Sequence, residues 1–174
     1  MVNTFLPVAD YKESAKILDY RRLGKQRVEV IQLLKANFGL TKGWVNHPAA
    51  KMWRGHEVAL GLYGIAMCEE WIDRGFKDSC TAKIKALVDE HTNGRVVMPH
   101  WYANEYFHRT HRSNLLRKDP VFYGRYNWDV SDDLDYIWPE PGPIRLVNRN
   151  LDKVLHVQDL DEHTLEVLRD ESLI

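Results

Sequence analysis

The run Tyr20-Arg21-Arg22-Leu23-Gly24-Lys25-Gln26-Arg27-Val28-Glu29 gathers four cations around one carboxylate. If a helix continues through Gly24, then Arg22, Gln26 and Glu29 share a face, being four and then three residues apart. Such a face suits phosphate, with one acid held where charge changes during a reaction. The plainer reading is a solvated helical face with ordinary ion pairs.

A second group is Asn46-His47-Pro48-Ala49-Ala50-Lys51-Met52-Trp53-Arg54-Gly55-His56. Pro48 fits the first position of a helix, where its missing N–H costs nothing. Lys51 and Arg54 would then oppose the helix dipole beside Trp53. An anion bound there by free backbone N–H groups offsets that mismatch; alternatively Trp53 is core and the cations are merely exposed.

A third group joins His100-Trp101-Tyr102, Phe107-His108-Arg109-Thr110-His111-Arg112-Ser113-Asn114 and Arg117-Lys118-Asp119-Pro120-Val121-Phe122-Tyr123-Gly124-Arg125-Tyr126. His108, His111 and Arg112 fall on one helical face. The run 117–126 interleaves cations with rings, as contact with phosphates and bases requires. His100, His108 and His111 also make a candidate metal set for a metal-dependent hydrolase. With no cysteine beside them no metal is assigned, and no cofactor is expected. A Ser, His and Asp arrangement and a phosphate-binding G-x-x-x-x-G-K loop are both absent from the sequence.

The elements that must carry these groups read as mainly α-helical. Asp10 and Glu13 stand in N-cap and N3 relation, so a helix starts after Asp10 and is interrupted or kinked at Gly24. A second helix runs from 49 to about 73 and closes at Gly75. A third spans 81–91, with Ile84, Leu87 and Val88 inward, and a fourth follows Asn104 to Asp119-Pro120. Short strands are expected at 145–147 and 154–157, and a short helix at 162–170. The run 139–143, rich in Pro, reads as a hinge. It separates a helical domain, 1–138, from an irregular acidic extension, 139–174.

The formal net charge of −1 hides that division. Residues 1–130 hold 20 basic and 14 acidic side chains, and residues 131–174 hold 4 and 11. The body is therefore basic enough for nucleic acid and the tail acidic. The tail is a solvated appendage or a competitor of phosphate. No apolar run reaches the ~18–20 residues of a membrane span, and the N-terminus lacks the pattern of a secretion signal. Only Cys68 and Cys80 occur, as expected of free thiols in a reducing, cytoplasmic setting.

The 46–55 segment, followed by Glu70-Trp71-Ile72-Asp73-Arg74-Gly75-Phe76-Lys77-Asp78, resembles the pyrimidine dimer DNA glycosylases of the endonuclease V type. Those proteins show a similar H-P-x-x-x-x-W-x-G helix start and R-G-[FY] helix end. The run His111-Arg112-Ser113-Asn114-Leu115-Leu116-Arg117-Lys118-Asp119-Pro120 with Tyr123 also looks like a hallmark, and the resemblance spans roughly residues 3–126.

The resemblance implies a compact, mainly helical single domain that clamps duplex DNA, extrudes a base, and couples glycosylase to abasic-site lyase activity; a monomer is expected. Its nucleophile is the α-amine left after removal of the initiator Met, here that of Val2, acting with a Glu on the first helix. The family run Y-R-E-L corresponds to Tyr20-Arg21-Arg22-Leu23, so Arg22 stands at the Glu position. Glu29 is then the nearest carboxylate and Asp19 the second. An alternative is a non-catalytic DNA-binding protein that kept the clamp and lost the acid. Candidate DNA contacts are Arg21, Lys25, Gln26, Arg27, His47, Lys51, Trp53, Arg54, His108, His111, Arg112, Arg117, Lys118 and Tyr123.

Overall fold

The computed structural model describes residues 2–139, 145–148 and 153–156. These fall into two compact units. One takes the chain up to Phe5 together with Asp10–His100; the other takes Leu6–Ala9 and the chain from Trp101 onward. The expected helix at 162–170 and most of the hinge lie outside the described residues. No helix among those described is long and apolar enough to cross a membrane.

The first unit holds α1 (Tyr11–Ile17), α2 (Tyr20–Asn37), α3 (Pro48–Trp53), α4 (Glu57–Asp73) and α5 (Thr81–His91). Asp10 caps α1 as expected, its carboxylate accepting the Glu13 N–H at 2.8 Å. The interruption falls at Leu18–Asp19, however, and not at Gly24. There the Asp19 side chain accepts the Arg22 N–H at 3.3 Å and starts a new helix. Gly24 sits inside α2 because a Cβ there would meet the Trp71 ring at 3.1 Å.

The long helix expected from 49 to 73 is likewise two. Pro48 opens α3 as predicted, but the chain turns at Arg54–His56, where Gly55 takes a left-handed φ of 86°. After this turn α4 runs to Asp73. Gly75, at φ 92°, closes it as expected.

Leu23, Val30, Leu33 and Leu34 recur at helical spacing on α2 and are buried, and α2 packs on α4, whose buried residues lie between Ala59 and Cys68. Small residues set the distance between helices. A Cβ on Gly64 would lie 2.7 Å from Val30 Cγ1 and 2.9 Å from Ile84 Cδ1, and one on Gly61 would lie 2.8 Å from Val88 Cγ2. On α5, over its expected span, Ile84 is buried while Leu87 and Val88 are only half-buried. Cys68 and Cys80 are buried free thiols.

The second unit holds α6 (Glu105–Lys118), α7 (Pro120–Tyr123), a 3-10 turn (Gly124–Tyr126) and strands β1 (Tyr136–Trp138), β2 (Arg145–Asn148) and β3 (Lys153–His156). Asn104 caps α6 as predicted, accepting from Tyr106 and Phe107. The strands form one antiparallel sheet in the order β1-β2-β3, with Ile137 paired in register with Leu146 and Leu146 with Leu155. β2 and β3 stand where short strands were expected; β1 was not anticipated, because three apolar residues after an acidic run give no alternation to read.

Gly64→Ala tests the helix spacing. Removing a mid-helix glycine ordinarily stabilises by about 1 kcal/mol. Here the methyl group would force apart branched side chains, so a net loss of about 1–2 kcal/mol is expected. Urea denaturation measures this, and a stabilised variant would contradict the close approach.

Candidate active site

The N-terminal segment is buried from Val2 to Pro7 even though Asn3 and Thr4 are polar. Buried backbone N–H groups must find acceptors, and two side chains of α2 supply them. The Asn3 N–H donates to Glu29 Oε2 at 3.2 Å, and the Phe5 N–H donates to Gln26 Oε1 at 2.9 Å. Donors two apart on the segment thus meet acceptors three apart on the helix, where i and i+3 share a face. Gln26 Nε2 in turn donates to Glu29 Oε2 at 3.0 Å. From α4 the Tyr63 hydroxyl lies 2.8 Å from the Phe5 carbonyl and 2.7 Å from Gln26 Oε1. From α3 the Trp53 indole N–H donates to Thr4 Oγ1 at 2.9 Å.

Glu29 is 8% exposed. Burial pushes its carboxyl pKa up, opposed in part by the Asn3 N–H, by Lys25 and by Gln26. Consecutive backbone nitrogens lie no more than about 3.7 Å apart. The Val2 nitrogen is therefore within about 7 Å of the Glu29 carboxylate, given the 3.2 Å Asn3 contact.

Asp19 and Arg22 are engaged with each other. The Arg22 guanidinium lies 3.0 Å from the carboxylate that caps its own helix. Arg27 is buried, 3.4 Å from Asp78, 3.7 Å from Cys80 Sγ and 4.4 Å above the Trp71 ring. Arg21 and Lys25 are exposed, with Lys25 Nζ 3.9 Å from Glu29. With Tyr20, Val28 and Trp71 they border a concavity of about 440 Å³, and Glu29 forms part of its wall.

His47 caps α3, its Nδ1 accepting the Ala49 N–H at 3.0 Å, and burial lowers its pKa. Lys51 is half-buried and Arg54 exposed, the latter donating to the Val45 carbonyl at 2.8 Å. Three of the candidate DNA contacts in this unit, Gln26, Arg27 and Trp53, are buried. Trp53 is wholly buried and Gln26 is 1% exposed, because both satisfy the N-terminal segment.

In the second unit, His111 Nδ1 accepts the Leu6 N–H at 2.9 Å, while His108 Nδ1 lies 2.8 Å from the Leu6 carbonyl. Burial lowers both imidazole pKa values, that of His111 strongly, as suits a neutral ring that accepts. Arg112 donates to the Pro7 carbonyl at 2.8 Å and pairs with Glu105. Arg117 reaches the Asp132 carbonyl at 3.2 Å and also contacts Asn114. Tyr123 is fully buried, stacked on Trp128 at 5.9 Å.

As they stand, then, His108, His111 and Tyr123 are core residues and not surface contacts. Lys118 is exposed. Among the described residues no group of three His, Cys, Asp or Glu is arranged to hold a metal ion.

Asn3 and Tyr63 have no place in the sequence expectation. Their signals were a polar Asn-Thr pair within an otherwise apolar start, and a tyrosine in the most apolar helix.

Residues 2–84 match the family model described as pyrimidine dimer DNA glycosylase. The matched segment, which carries α1 to α4 and Glu29, is thus similar to that DNA glycosylase family. The run from His111 to Tyr123 lies outside the matched segment. Comparison with curated proteins and with solved structures gave no match.

Because burial raises the Glu29 pKa, its ionised form costs stability above that pKa, and the cost disappears as pH falls through it. Glu29→Gln should therefore melt no lower than the parent at neutral pH, with any gain shrinking in acid. Thermal melts across pH check this; a variant markedly less stable at neutral pH would contradict it.

Proposed function

We propose that the chain excises a damaged pyrimidine (a pyrimidine dimer) or a modified one from duplex DNA, and then cleaves the abasic site, through the α-amine of Val2 once Met1 is removed. The observation that carries this reading is the buried Glu29 carboxylate, hydrogen-bonded to the amide next to residue 2.

The neutral amine attacks C1′ of the nucleotide whose base is to leave. The bond from C1′ to the base nitrogen breaks, and its electron pair departs with the base, which takes up a proton. The attached amine then gives up a proton and the C1′–O4′ bond opens, O4′ taking a proton, to leave a protonated imine on the opened sugar. Glu29 lies where it can stabilise positive charge at C1′ and take up or return that proton. A carboxyl whose pKa is raised by burial suits such exchange better than an ordinary one. Loss of a C2′ proton from the imine then expels the 3′ phosphate, and water releases the enzyme. C1′ reaches the amine only when the nucleotide leaves the stack.

The groove beside Glu29 supports this reading. Its exposed cations Arg21 and Lys25 can hold phosphates while Tyr20 and Val28 offer apolar surface. Arg22, at the family's Glu position, is occupied with Asp19, so the acid role passes to Glu29, about two turns further along the same face of α2.

The test is incubation with ultraviolet-irradiated and modified-base duplexes, read on a product gel. The parent should release base and nick the strand, and Glu29→Gln should lower release by about a hundredfold or more. Full activity in that variant would move the role to another carboxylate. No activity of the parent on any lesion, with DNA binding intact, would favour the non-catalytic binder.

Replacing Arg21 and Lys25 together with Ala should weaken binding to lesioned and plain duplex alike. The salt slope, log Kd against log salt, should then fall by about 2. An unchanged slope would remove the groove from the DNA interface.

A further inference from the structure

We infer that Gln26 is a positioning residue that fixes both partners of the reaction at once, holding the N-terminal segment through Phe5 and the Glu29 carboxylate through its amide nitrogen. The inference rests on the reading of Glu29 given above.

Gln26 is 1% exposed, and both ends of its amide are used. Its oxygen accepts from the Phe5 N–H at 2.9 Å and lies 2.7 Å from the Tyr63 hydroxyl; its nitrogen donates to Glu29 Oε2 at 3.0 Å. The orientation is forced. Turned over, the amide would set its NH2 against the Phe5 N–H and its oxygen against the carboxylate, two repulsions in place of two bonds.

An amide is the side chain that can accept from one partner and donate to the other here. A glutamate would meet Glu29 as a second anion, and a leucine would leave the Phe5 N–H unpaired. Tyr63 completes the arrangement from α4. Its pKa lies well above the ordinary tyrosine value, through burial and the nearby Glu29 charge, so it stays a neutral donor to the Phe5 carbonyl or to Gln26. The two polar atoms of the Gln26 amide thus link the Glu29 carboxylate to the backbone three residues beyond Val2. A shift of about 1 Å between nucleophile and acid is enough to cost a large factor in rate.

The groups facing Glu29 that carry or can carry charge are Lys25 on its own helix, Tyr63 on α4 and, in the processed chain, the residue-2 amine. Gln26→Glu keeps the acceptor for Phe5 and Tyr63 but replaces donation to Glu29 with repulsion, which raises the Glu29 pKa.

The experiment has two readouts on Gln26→Glu. In the free protein, carbon NMR titration of the Glu29 carboxyl should show its midpoint moved to higher pH. On lesioned duplex, kcat should fall about 10- to 100-fold with KM little changed, and the acid limb of the pH–rate profile should move up with the carboxyl midpoint. Gln26→Leu adds a third readout, faster hydrogen exchange at the Phe5 amide.

An unmoved Glu29 midpoint, or a wild-type kcat and pH profile in Gln26→Glu, would overturn the inference. If the midpoint moves but the parent cuts no lesion, the proposed function fails while the positioning role stands.

Discussion

A carboxylate placed away from water needs partners, and leaving one unpaired costs on the order of several kcal/mol. Glu29 meets that requirement with the backbone of the N-terminal segment. The contact requires α2 to start at Asp19, so that Gln26 and Glu29 fall on one inward face. It requires α3 and α4 to present Trp53 and Tyr63 to Thr4 and Phe5. The close packing of α2 on α4 and α5 at Gly64 keeps these supports in place. A chain start that would otherwise fray is instead tied down residue by residue, beside the one acid of the cationic run.

The cations divide by burial more than by position in the sequence. Arg22 and Arg27 hold Asp19 and Asp78, while Arg112 and Arg117 hold backbone carbonyls. These contribute to the field of the protein but are committed to the fold. Arg21, Lys25, Arg54 and Lys118 remain on the surface, with Lys51 half-buried. The basic surplus of residues 1–130 therefore overstates the number of exposed cations.

Much of the scaffold was legible because caps and stops are local. Asp10, Pro48, Asn104 and Gly75 each act within one turn of their own position. The two misplaced breaks, at Asp19 and Gly55, have a common cause. Apolar spacing continues across both, and only the capping carboxylate or the left-handed φ reveals the turn. Glu29 could be found from the spacing of Arg22, Gln26 and Glu29. Its partners could not, since a backbone N–H from residue 3 leaves no mark in residue type. Trp53, His108, His111 and Tyr123 show the opposite difficulty. Aromatic rings and imidazoles suit a nucleic-acid surface and a hydrogen-bonded core equally well, and only burial separates the two.

The central claim is that the residue-2 amine works against Glu29. It is tested most directly by borohydride reduction of the protein on abasic-site duplex, followed by mass mapping of the adduct. The account predicts a sugar-phosphate remnant on the amino nitrogen of a peptide beginning at Val2, with Met1 absent. An adduct on a lysine side chain, or strand cleavage with no adduct under conditions that trap imines, would contradict it.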